Sequence, residues 1–141
     1  MTSRLLYRIA AVLLLLFAVG HTMGFVGFVP TTAEGAAVHD AMVNVHFPIG
    51  KSEFTYQGFY LGFGLFVTAY LLFAAVLAWQ LGDLASTAPH IVRSIGWMLL
   101  AVQAASLVLS CIYFFAVPIA FSAVVVVCLA AAVWRVPPTV R

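Results

Sequence analysis

The chain has 141 residues, 65% of them hydrophobic and 7% charged, with a formal net charge of +2. Soluble domains carry roughly 25% charged residues, so this composition and a mean hydropathy of +1.16 come close to excluding a water-soluble fold. Six basic residues, scattered along the sequence, form no nucleic-acid footprint.

Arg4 and Arg8 precede an apolar run over residues 9–29 that Pro30 ends. About 20 residues cross a ~30 Å hydrocarbon core, and the run exceeds the h-region of a signal peptide, which predicts a retained first span. Residues 30–55 form the one sizeable polar segment. Thr31 with Glu34 three residues on has the pattern of a capping box, followed by helical spacing over residues 36–47. Val38, Met42 and Val45 fall on one face, with His39, Val43 and His46 on its neighbour. This predicts a short amphipathic helix at a membrane surface, ended by Pro48 and Gly50.

Residues 56–81 give the second span and 84–93 a polar connection. The apolar stretch from Ser94 to Trp134 is twice the length of one helix. Pro118, suited to a first turn but not to a helix interior, divides it into spans over about 95–115 and 118–134, and Pro137-Pro138 stops the last. The expected fold is all-α: a four-helix transmembrane bundle with a short amphipathic helix in its first loop, forming one membrane domain over 1–141. Arg4, Arg8, Arg93, Arg135 and Arg141 then lie on one side and Lys51 on the other. That bias places both termini in the cytoplasm and loop 30–55, with Glu34, Asp40, Glu53, His39 and His46, outside.

Small and polar residues define packing seams in lipid. Gly20, Gly24 and Gly27 on the first span, with Gly58, Gly62 and Gly64 on the second, predict a close approach of those two helices. His21 is the one ionisable residue well inside a span, about 12 Å below its outer end at ~1.5 Å per residue. Such a group is a functional candidate by default, although a neutral histidine bonded to a nearby carbonyl is an equally good reading. Gln103, Ser106, Ser110 and Tyr113 share one face of the third span. With His21, Gly24, Gln57 and Tyr60 they outline a ligand-binding crevice in the outer half. Trp79, Trp97 and Trp134 suit the opposite interface. Cys111 and Cys128 sit in apolar runs and show neither a disulfide framework nor a metal spacing.

The segments Gly20-His21-Thr22-Met23-Gly24, Phe47-Pro48-Ile49-Gly50 and Tyr56 through Leu65 resemble those of a group of small, uncharacterised bacterial four-span membrane proteins. The resemblance covers most of the chain and implies a bacterial inner-membrane location without an activity. The layout is loosely similar to DoxX-like membrane proteins. It is more distantly similar to the emopamil-binding (EXPERA) sterol isomerases, from which it departs because no carboxylate lies within a span.

Two functions compete. One is a non-catalytic protein that binds a lipid- or quinone-like molecule, or serves as an accessory subunit with other membrane subunits or a second copy. The other is a membrane enzyme acting on a lipophilic substrate, with His21 exchanging a proton and Glu53, Asp40 or Glu34 as its partner. Metal or haem binding through His21, His39, His46 and Asp40 is weaker. Residues seven apart on a helix stand about 10 Å apart, so no metal or cofactor is expected.

Overall fold

The computed structural model describes residues 1–136. Pro137, Pro138 and Arg141, which carried part of the sequence reading, lie outside the described residues. The architecture is all-α, with helices α1 (Ser3–Val26), α2 (Ala33–Asn44), α3 (Tyr56–Leu84), α4 (Pro89–Tyr113) and α5 (Ala116–Trp134). One antiparallel hairpin, β1 (His46–Ile49) with β2 (Ser52–Thr55), separates α2 from α3. The four long helices are each apolar and long enough to cross a membrane. The expected four-helix membrane bundle is therefore present.

The helix boundaries differ from the sequence expectation for local reasons. The first helix begins at Ser3 rather than residue 9, since Arg4 and Arg8 are tied to Asp83 instead of ending the helix. It closes at Val26, where the Gly27 N–H bonds Met23 O at 3.0 Å and Pro30 turns the chain extended. The connection after α3 is residues 85–88, not 84–93. Pro89 occupies the first turn of α4, where its missing N–H costs nothing, so His90 and Arg93 are helical. Pro118 falls in the first turn of α5, as its chemistry requires. The hairpin was not anticipated.

The chain divides into two compact units, one built from Met1–Phe17 with the described chain from Leu71 onward, the other from Ala18–Tyr70. In the first unit, Leu6, Tyr7, Ala10, Ala11 and Leu14 of α1 are buried at spacings of three and four residues. The buried face of α3 is Leu71, Ala74, Ala75, Ala78 and Leu81, and its alanines permit close helix approach. Val92, Gly96, Leu99 and Leu100 of α4 and Val125, Leu129, Ala132 and Val133 of α5 continue the same core. The outward faces stay apolar: Phe73 is 65% exposed, Met98 66% and Val127 66%. In water these would be an aggregation surface; in lipid they are solvated.

Tyr7 is the largest fully buried side chain of this unit, and its hydroxyl has no hydrogen-bond partner among the described residues. That hydroxyl rests on Gly96, where an added Cβ would collide with it and would come within 3.1 Å of Val133 Cγ2. Ser3 Oγ donates to Ala132 O at 2.9 Å, tying the start of α1 to the end of α5. Trp97 and Trp134 meet edge to face, with centroids 5.0 Å apart.

Gly96 thus exists for the Tyr7 ring. Gly96→Ala should destabilise the protein by about 1–3 kcal/mol through overpacking. Tyr7→Phe removes an unpartnered buried hydroxyl and should be neutral or stabilise by about 1 kcal/mol. The double variant should lose less than Gly96→Ala alone. Thermal unfolding midpoints in one detergent check all three, and strict additivity would refute the contact.

Candidate functional site

The candidate site belongs to the Ala18–Tyr70 unit. Helix α2 starts one residue later than a Thr31–Glu34 capping box would set it. Thr32 is the N-cap, extended at φ −114° and ψ 156°, and its hydroxyl accepts from Gly35 N at 3.1 Å. Gly35 therefore occupies the position where a capping box needs Glu, and Glu34 stands one residue earlier. A side chain at Gly35 would press on Thr32 Oγ1 and Pro30 Cβ, 3.2 and 3.3 Å away. The helix ends at Asn44 and not at Phe47, so His46 leaves it for β1.

The hairpin pairs His46 with Thr55, Phe47 with Phe54, Pro48 with Glu53 and Ile49 with Ser52. Gly50 and Lys51 form the two-residue turn, with Gly50 at φ +65°, the backbone of a II′ turn led by glycine. Hydrogen-bonded and open pairs alternate along an antiparallel ladder. With the pair flanking the turn bonded, Pro48 falls at an open position where no N–H is needed. Phe47 gathers Tyr56 at 4.8 Å and Phe59 at 5.5 Å, and Phe54 meets Phe59 edge to face at 6.0 Å. This cluster fixes the hairpin to the start of α3, whose N-cap is supplied by Thr55 Oγ1 accepting from Gly58 N at 3.0 Å.

An open cleft of about 590 Å³ lies between α2 and the start of α3. Phe28, Pro30, Thr31 and Thr32 line it from the α1–α2 connection; Glu34, Gly35, Val38, His39 and Met42 from α2; and Gln57 and Tyr60 from α3. Val38 and Met42 are four residues apart, so one face of α2 forms an apolar wall. Gln57 contributes the distinctive polar atom. Its side-chain Oε1 is buried and has no hydrogen-bond partner among the described residues. A carbonyl left in that state costs about 1–3 kcal/mol.

His21 is half-buried on α1. Its Nε2 lies 3.1 Å from Gly64 O, and its ring is 5.0 Å from that of Phe25. A carbonyl only accepts, so Nε2 carries a proton. Beside it Thr22 Oγ1 donates to Ala18 O at 2.8 Å and lies 2.8 Å from Thr68 Oγ1. With the Thr22 proton so placed, only Thr68 can donate within that pair. Thr68 Oγ1 also stands 3.2 Å from Gly64 O, so its one proton serves either that carbonyl or Thr22. A Cβ at Gly64 would lie 2.7–2.9 Å from three carbons of the Phe25 ring.

The glycine seams are smaller than expected. Gly20, Gly24 and Gly62 have nothing within 4 Å of an added Cβ, and Gly27 and Gly58 approach only Met23 O and Thr55 Oγ1 of their own turns. Gly64 alone among these six makes the close approach. Thr22 and Thr68, which the sequence reading passed over, supply the polar contact. Two threonines inside apolar runs were the available signal.

The remaining expected site residues have different surroundings. Gln57 and Tyr60 line the cleft, whereas Gly24 faces open space. Asp40 is exposed and accepts from its neighbour Asn44 Nδ2 at 2.8 Å. Glu53 is exposed on β2. The ion pairs among the described residues are those of Asp83, so none of Asp40, Glu53 and Glu34 pairs with His21. In the other unit Gln103 and Ser110 are buried, and Ser110 Oγ lies 3.4 Å from Ser122 Oγ. Ser106 Oγ donates to Val102 O at 3.0 Å, and Tyr113, the last residue of α4, is 73% exposed. The polar stripe is thus part core and part outer surface. His39 and His46 do not share a helix, and no group of three or more His, Cys, Asp or Glu among the described residues is arranged to hold a metal ion.

The Gly64 contact fixes a tautomer that can be measured. Nitrogen-15 spectra of histidine-labelled protein in micelles at pH 8 should show a half-buried imidazole protonated at Nε2, absent in His21→Phe. An Nε2 without a proton would contradict the hydrogen bond.

No family model matches the chain, nor does any curated protein or solved structure. The functional reading therefore rests on the cleft and on the Gly64 seam.

Proposed function

We propose that this is a multi-pass protein of the bacterial inner membrane, with both termini cytoplasmic, that binds a lipophilic small molecule through the cleft between α2 and the start of α3. The orientation is supported by the basic residues: Lys51 is at the hairpin turn, and the other five cations lie outside the loop. Four long apolar helices support the membrane setting. One observation carries the binding reading: an open cleft of about 590 Å³ with apolar walls, which Gln57 and Tyr60 line from α3. Ligand pockets of about 300–1,000 Å³ with apolar walls and few polar groups are the usual form of small-molecule sites. Phe28, Val38, Met42 and Tyr60 provide the walls, and Gln57 and His39 provide the polar points. A lipid- or quinone-like molecule with one polar end fits that division, and its apolar part accounts for the exposure of Phe28 (60%) and Val38 (61%).

The test is native mass spectrometry of the full chain purified in mild detergent, with organic extraction of the same sample. A retained apolar molecule of defined mass is expected. Val38→Trp, which fills the cleft, and Gln57→Leu, which removes the carbonyl, should each lower its occupancy about tenfold, the weight of ~1.4 kcal/mol. A wild-type protein that carries only bulk lipid, or a retained partner chain in place of a small molecule, would overturn the reading. The second result would assign the accessory-subunit role.

A further inference from the structure

We propose that the Arg4–Arg8–Asp83 corner of the first unit binds the phosphate of an anionic phospholipid, with an acyl chain along the adjoining face of α1. A single oxygen, Asp83 Oδ1, accepts from Nη2 of Arg4 at 3.0 Å and Nη2 of Arg8 at 2.8 Å. Two guanidinium groups against one carboxylate leave the corner with one positive charge in excess. Each guanidinium has five N–H donors in a planar fork, and Asp83 engages one from each. Arg8 is held in place: its guanidinium lies 4.7 Å from the ring centre of Trp79, and its Nε is buried. The Arg4 side chain is 58% exposed, so its remaining donors are open.

Leu5, Ile9, Val12 and Leu13 stand beside Arg8 on one face of α1, an open hydrocarbon surface on which Leu5 is 46% and Val12 47% exposed. Leu5 to Leu13 spans about 12 Å of helix at ~1.5 Å per residue. A cationic corner with open donors beside an exposed apolar helix face complements a phosphodiester carrying an acyl chain. Guanidinium recognises phosphate oxygens two at a time, and a free phosphate would leave that face uncovered. The site is independent of the α2–α3 cleft and requires only that α1 lie in a bilayer.

The experiment uses the full chain in nanodiscs of equimolar phosphatidylglycerol and phosphatidylcholine, released into detergent and weighed intact. Phosphatidylglycerol should be retained in preference to phosphatidylcholine. Arg4→Gln should cut that preference about fivefold, the weight of one basic residue near an anionic surface. Asp83→Asn, which keeps both cations and removes their shared acceptor, should preserve or raise the preference. Equal retention of the two lipids by the wild type would overturn the proposal, as would an unchanged preference in Arg4→Gln or its loss in Asp83→Asn. Displacement of the lipid by millimolar inorganic phosphate would overturn the assignment to a lipid. Should Arg4→Gln lose its helical circular dichroism, the Asp83→Asn result decides alone.

Discussion

Helices in hydrocarbon gain nothing from burying one apolar face against another, because the lipid solvates that face equally well. What remains to hold them is close backbone approach and a few polar contacts, and each feature of this protein's packing follows from that restriction. The first unit uses alanines on α3, the seat of Tyr7 on Gly96, the Ser110–Ser122 contact and one carboxylate shared by two arginines. The second uses Gly64, with His21 and the Thr22–Thr68 pair. The large apolar residues mostly point outward.

The same restriction separates the two kinds of polar group. Some inside the helices are satisfied by carbonyls and hydroxyls, as His21 and Thr22 are, while the Tyr7 hydroxyl and Gln103 Nε2 are buried without a partner among the described residues. Gln57 Oε1 is likewise without a partner among the described residues, but it stands in the first turn of α3, beside the cleft that α2 lines. Ligand chemistry is therefore expected at the end of a helix and beneath a loop. There the backbone already leaves groups free, and side chains can be spared from packing.

Hydropathy alone made the four helices legible, since a run of about 20 apolar residues has one structural outcome in lipid. Their ends were less so. Pro89 opens α4 within a stretch polar enough to pass for a loop, and Arg4 and Arg8 look like a terminus until Asp83 joins them. The hairpin carried a signal, Ile-Gly-Lys-Ser between alternating residues, but Pro48 reads first as a helix stop and only the ladder phase shows why a strand tolerates it. Gln57 and Tyr60 could be named from depth and polarity. Their partners across the cleft could not, because His39, Val38 and Met42 reach them only once α2 folds back. The glycine pattern misled in the opposite sense, since spacing cannot tell a packed face from an open one, and Gly20 and Gly24 face open space.

Gly64 links architecture to any chemistry sought at His21. Its carbonyl serves the α3 ladder while also receiving the imidazole N–H, and its missing side chain makes room for Phe25. His21 therefore joins α1 to α3 at Gly64, where the Phe25 ring also rests. A substitution at His21 removes that interhelical bond as well as a titratable group. Loss of function there would report the lost bond unless a replacement that still offers an N–H, such as glutamine, failed to restore it.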